Sequence, residues 1–133
     1  MPIAKIIYTY LAMTGAFLAV DMLWLGVISK KFYQDQIGHL MKASPNWPAA
    51  LIFYALFIIG IMIFCVWPHY EKGTIYDALL YGALFGFFTY MTYDLTNYAV
   101  LKDWPLGIVF VDILWGMVLC AVVSMTGFLI AKL

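Results

Sequence analysis

From Ile3 to Ser29 the chain runs through one apolar stretch interrupted only by Lys5 and Asp21. A membrane span needs about 20 consecutive, mostly apolar residues. In hydrocarbon every backbone N–H and C=O must find a partner within the chain, and a helix does this within one segment. Three more stretches repeat the pattern, at residues 47–67, 74–101 and 104–131. The expectation is an all-α fold: one integral membrane bundle of four transmembrane helices occupying residues 1–133 as a single domain.

Composition agrees with this class. Hydrophobic residues make up 66% of the 133 and charged residues 11%, against about 25% charged in a soluble domain. Seven Lys and no Arg balance six Asp and one Glu, so the net charge is zero. Nothing here points to nucleic acid, and no polybasic tail is present for anionic lipid. Pro48 and Pro105 suit the first turn of a helix, and Pro68 sits where one should stop. Trp47, Trp67 and Trp104 lie at span ends, as an aromatic belt requires. The first span is too long for a signal peptide, contains Asp21 and Trp24, and is not followed by a small-x-small cleavage site, so it reads as retained. The Lys30–Asn46 segment, with Phe32, Tyr33, Asp35, His39 and Met41, reads equally as an interfacial amphipathic helix or as a surface loop. Cys65 and Cys120 read as small buried thiols rather than a disulfide.

Spans one and three run from face A to face B, and spans two and four return. Face A carries the N-terminus, the 68–73 turn and the C-terminus; face B carries the long loop and the Lys102–Asp103 turn. Asp21 lies nine residues before Lys30, Asp94 eight before Lys102, and Asp112 eight after Trp104. At about 1.5 Å per residue, each carboxyl is roughly 12 Å inside face B. Three acids from three helices are expected in one layer, and Tyr54 approaches the same depth from span two. A carboxyl group in hydrocarbon is expensive and belongs in a bundle interior or a polar cavity.

Helical spacing adds detail. Gly82, Gly86, Tyr90 and Asp94 recur every four residues, followed by Asn97 and Tyr98; Asp112, Gly116, Cys120 and Ser124 do the same. Small residues at this spacing let membrane helices approach closely, so spans three and four are expected to form the tightest pair. Run antiparallel, they set Gly116 near Tyr90, Cys120 near Gly86 and Ser124 near Gly82. Span two has no such stripe and is expected to be the most lipid-exposed. Val20-Asp21-Met22-Leu23-Trp24 and Val111-Asp112-Ile113-Leu114-Trp115 share a pattern at one depth. A local pseudo-twofold arrangement could set these Asp and Trp side chains around one cavity.

No lysine lies near these acids within the spans. Three close carboxylates cannot all stay ionised in a low-dielectric site, so at least one is expected to carry a proton at neutral pH. Such a cluster can hold a proton, bind a cation, coordinate a hard metal through oxygen, or act as acid and base. Aromatic neighbours can hold an organic cation. The plainer alternative is a protonated Asp that only ties helices together, at about 0.6 kcal/mol per bond. Three acids at one depth favour a site. Its expected ligand-binding residues are Asp21, Asp94, Asp112, Asn97, Tyr54, Tyr90, Trp24 and Trp115. His39 and His69 lie on opposite faces, and no zinc pattern, phosphate loop, nucleophile elbow or dinucleotide fingerprint occurs. No cofactor or metal is specified by the residues.

Asp21-Met22-Leu23-Trp24-Leu25-Gly26, Phe32-Tyr33, Ile37-Gly38, Thr92-Tyr93-Asp94-Leu95-Thr96-Asn97, Lys102-Asp103-Trp104-Pro105 and Asp112-Ile113-Leu114-Trp115-Gly116 resemble the bacterial membrane proteins grouped as domain-of-unknown-function family 2177. The resemblance covers nearly the whole chain and implies a bacterial multi-span protein of the inner membrane. It carries no chemistry with it, so the site rests on the residues themselves. The size and four-span plan are also similar to small multidrug resistance transporters, whose motifs do not match here. The leading functional expectation is binding or transport of a cation, a proton-coupled small molecule or a lipid-like ligand at an acidic site open toward face B. A membrane-embedded lipid-modifying enzyme using Asp94 or Asp112 as acid and base, and a structural or accessory subunit, are the alternatives. Membrane lipid is the expected surrounding partner, and a homodimer is the expected assembly if the bundle self-associates.

Overall fold

Capping chemistry sets where the long helices begin. The computed structural model describes residues 1–133 and contains five helices and no strand. The first, α1 (Ile3–Leu23), continues directly into a π-helical turn, Trp24–Ile28. A short α2 (Lys30–Ile37) and a 3₁₀ turn (Gly38–Leu40) follow. Next comes α3 (Trp47–Ile61), whose first turn is capped by Asn46 Oδ1 accepting from Ala49 N–H at 3.2 Å; it ends in a second π-helical turn, Met62–Val66. The fourth helix, α4 (Ile75–Val100), opens on a capping box in which Thr74 N–H donates to Asp77 Oδ2 at 2.8 Å. A tight turn with Asp103 in the left-handed region (φ 63°) leads into α5 (Leu106–Ala131). Aspartate is among the few residues that tolerate this conformation.

The expected four helices are therefore five, because half of the Lys30–Asn46 segment folds as α2. Three elements are long and apolar enough to cross a membrane: Ile3–Ile28, Trp47–Val66 and Leu106–Ala131. Helix α4 is as long as α5, with 26 residues, but carries Thr, Tyr, Asp and Asn on its face-B half.

Packing is uneven along the bundle. The antiparallel pair α4/α5 is the most extensive contact, and α1 packs mainly on α5. A Cβ at Gly82 would lie 2.7 Å from the Cys120 carbonyl oxygen, and one at Gly86 would overlap the Gly116 backbone. The glycines thus permit backbone-to-backbone approach. The register agrees with the expected one where Gly116 meets Tyr90 and where Gly82 meets Ser124, and departs from it at Gly86, which opposes Gly116 and Met117 rather than Cys120. A few residues of stagger follow from the angle at which two helices cross, which periodicity does not specify. Toward face A, Met13, Phe17, Ile58, Ile61, Val66, Leu119 and Val123 form the buried core. Toward face B, Tyr33, Trp104, Ile108 and Val109 form a smaller cluster that fastens α2 to the start of α5. Helix α3 is not the most exposed span: 28% of its apolar window is buried, against 17% for α1. The Met62–Val66 turn packs on both α4 and α5, which accounts for the extra burial.

Candidate functional site

The π-helical turn after Leu23 presents Trp24 to the bundle. Its carbonyl oxygen accepts from both the backbone N–H and the Oγ of Ser29, each at 2.8 Å. The Trp24 ring stacks on Trp115 of α5, with centroids 4.5 Å apart and planes within 10°. Around this stack the two Val-Asp-x-Leu-Trp motifs exchange partners. Trp115 Nε1–H donates to Asp21 Oδ1 at 3.1 Å. On the other side Tyr33 intervenes: its hydroxyl donates to Asp112 Oδ1 at 2.8 Å and accepts from Trp24 Nε1–H at 3.4 Å. The pseudo-twofold relation is approximate, with direct contact in one half and a phenol bridge in the other. Burial, reinforced by the negative charge of Asp112, pushes the Tyr33 phenol above its ordinary value of 10.0. Tyr33 therefore remains a donor at neutral pH.

The third acid sits behind the second. Asp94 is fully buried at 0% exposure, and neither of its carboxyl oxygens has a donor partner. The Asp112 carboxyl of α5 is its acidic neighbour across the helix pair. One proton held between two such groups converts repulsion into a hydrogen bond, as in other closely spaced carboxyl pairs. Asp112, Tyr33 and Trp24 form a hydrogen-bonded chain, with Asp94 buried beside its Asp112 end. No group of three His, Cys, Asp or Glu is arranged to hold a metal ion.

Next to this chain lies a cavity of about 840 Å³. Asp21 of α1, Leu25 of the π-helical turn after it, and Asp112 and Trp115 of α5 line one part of it. Phe53, Tyr54 and Phe57 of α3 form one wall, and Phe88, Thr89, Tyr90, Thr92 and Tyr93 of α4 the other. No lysine or histidine lines it, so its charge is acidic. Asp21 is 6% exposed, and Asp112 is half-buried.

Of the residues expected at the site, Asp21, Asp112, Tyr54, Tyr90 and Trp115 line the cavity. Three do not line it. Asp94 faces α5 rather than the cavity, because the close approach of α4 and α5 encloses it. Asn97 is three residues further along α4, about 60° around the helix and nearer face B. Trp24 lies behind Trp115. Sequence reasoning passed over Tyr33 as a partner of Asp112, since the two are 79 residues apart. The Phe32-Tyr33 dipeptide within the resembling motifs was the available signal. It also passed over Phe53, Phe57, Thr89 and Thr92, which carry no charge to mark them.

Comparison with known proteins adds two findings and one absence. The chain is 27% identical over 125 residues to the fluoride-specific ion channel FluC of Geobacter sp. (strain M21), covering 92% of this chain and 94% of that protein. No solved structure matches it. The model of the DUF2177 family, described as predicted membrane protein, matches residues 6–129, and with the apolar helices above it places the chain in the bacterial inner membrane as a member of that family.

Proposed function

We propose that this protein binds and transports a cation at the acidic, aromatic cavity, with α4 as the fourth membrane span. The observation that carries the reading is the convergence of Asp21 and Asp112 on a cavity walled by aromatic rings and free of basic side chains. Carboxylates attract cations, and the faces of Trp and Tyr add cation–π attraction. At about 39 Å long, α4 has the reach to cross the hydrocarbon; Thr89, Tyr90, Thr92 and Tyr93 line the cavity, and Asp94 is fully buried.

The Asp94–Asp112 pair supplies the coupling. A proton shared by the pair removes one of the site's negative charges, and an arriving cation displaces it. Cation binding and proton release are then linked, with Tyr33 holding Asp112 in place from α2. Likeness to the Geobacter channel supports ion movement as the general activity. The selectivity argued here differs, because two carboxyl groups beside the cavity repel fluoride.

The test is equilibrium binding of tetraphenylphosphonium to purified protein, paired with fluoride efflux from proteoliposomes. Saturable binding of the organic cation, lost in Asp21→Asn and Asp112→Asn while both variants remain folded, is the expected result. Fluoride efflux without organic cation binding would overturn the reading.

A further inference from the structure

The two walls of the cavity are not closed against each other. From mid-span toward face A, α3 meets α4 where Phe57 packs on Phe85 and Tyr90, with centroids 5.3 and 6.3 Å apart, and the following π-helical turn meets it where Phe64 packs on Phe85 at 6.2 Å. The Met62–Val66 turn is the part of this strand of the bundle that packs on α4. Toward face B the helices diverge, and the rims of the gap are exposed: Phe53 by 47%, Phe88 by 56% and Tyr93 by 55%. The acids at the inner end lie roughly 12 Å below face B. A gap at that depth opens into the acyl chains of one leaflet, not into water. The lining is also lopsided, with nine of 13 residues hydrophobic. A compact cation held at Asp21 and Asp112 would leave most of that wall without a partner.

We infer that the ligand is a membrane amphiphile with a cationic head and an alkyl chain, which enters sideways between α3 and α4. The head sits between Asp21 and Asp112 beside Trp115; the chain leaves past Phe53 and Phe88 into the leaflet. Two independent features agree with this occupant. The carboxyl groups are the buried part of the lining, Asp21 at 6% exposure and Asp112 half-buried, while Phe53 and Phe88 form an exposed apolar rim, which matches the two ends of an amphiphile. Behind the head position, Asp94 is buried without a donor, so negative charge drawn toward Asp112 is available when the shared proton leaves. The inference rests on the cation-binding reading and specifies its ligand and route.

The experiment uses full-length protein in nanodiscs and three probes: tetramethylammonium, an alkyltrimethylammonium with a diazirine on its chain, and a zwitterionic phosphocholine bearing the same chain. Binding is measured for the first, and photolabelled residues are mapped by mass spectrometry for the other two. Saturable labelling of Phe53, Phe88 or Thr92 by the cationic probe, at least tenfold stronger than by the zwitterion and lost in Asp21→Asn, is the expected result. A matching size-exclusion profile for Asp21→Asn keeps a folding defect from imitating that loss. Tetramethylammonium binding without saturable labelling of the α3/α4 gap overturns the lateral route and leaves the cation site standing. Absence of binding by both cations overturns the site as well. Equal labelling by the zwitterion, unaffected by Asp21→Asn, overturns the role of the acids in choosing the head.

Discussion

The same two helices behave in opposite ways at their two ends. Toward face A, α4 and α5 are zipped at Gly82, Gly86 and Gly116, and Gly127 of α5 lies against Met13 and Val66. That half is filled mainly by apolar side chains. Toward face B the bundle holds a cavity, three aspartates and a Trp–Trp stack. Close packing at one end is what allows a void at the other. A rigid helix pair acts as a fixed post, so α3 can lean away from α4 above Phe57 without the bundle separating. Dispersion and backbone approach supply the stability in the lower half, because lipid offers no hydrophobic drive for helix association. The upper half gives up packing for polar groups.

The strongest way to break this contrast is Gly86→Leu. The new side chain would meet the Gly116 backbone, which cannot rotate away. Overpacking of this kind costs about 3 kcal/mol, and here the register of α4 on α5 would shift with it. A large drop in melting temperature in detergent, with loss of the monodisperse fraction, is expected. Unchanged melting would mean that the glycines do not set the post.

Asp94→Asn tests the upper half at less cost to the fold. The amide keeps the volume and can donate to Asp112 without a shared proton. Wild-type cation binding should strengthen as pH rises, by up to about tenfold per pH unit where one proton competes with one cation. The variant should bind with a much flatter pH profile and melt within about 1 kcal/mol of wild type. An identical pH profile would separate Asp94 from the ligand equilibrium.

The smallest effect expected is a difference between two tryptophans. Trp115→Phe removes the 3.1 Å bond to Asp21 and retains a ring in the stack. Trp24→Phe removes only a 3.4 Å contact with Tyr33. A stability loss of about 1 kcal/mol is expected for the first and less for the second, read from paired thermal melts. Equal losses would show that stacking, not the hydrogen bond to the acid, makes Trp115 matter.

How much of this was legible in the residues divides along a physical line. Span positions, the common depth of Asp21, Asp94 and Asp112, and the small-residue faces of α4 and α5 follow from hydropathy, helix rise and the four-residue repeat. These are local quantities, set within one segment. Membership of the membrane class follows from the same source, since backbone groups in lipid have few ways to be satisfied. Which acid faces the cavity depends instead on the rotation of α4 against α5. That rotation buries Asp94 behind Asp112 and leaves Asn97 outside, although all three belong to one stretch of motif. The bond from Tyr33 to Asp112 depends on α2 folding back over α5, and the stack of Trp24 on Trp115 on a π-helical turn that periodicity does not announce. The gap between α3 and α4 comes from the angle between two helices. Crossing angles arise from many side-chain contacts at once, so only the assembled bundle could decide where the walls of the cavity part.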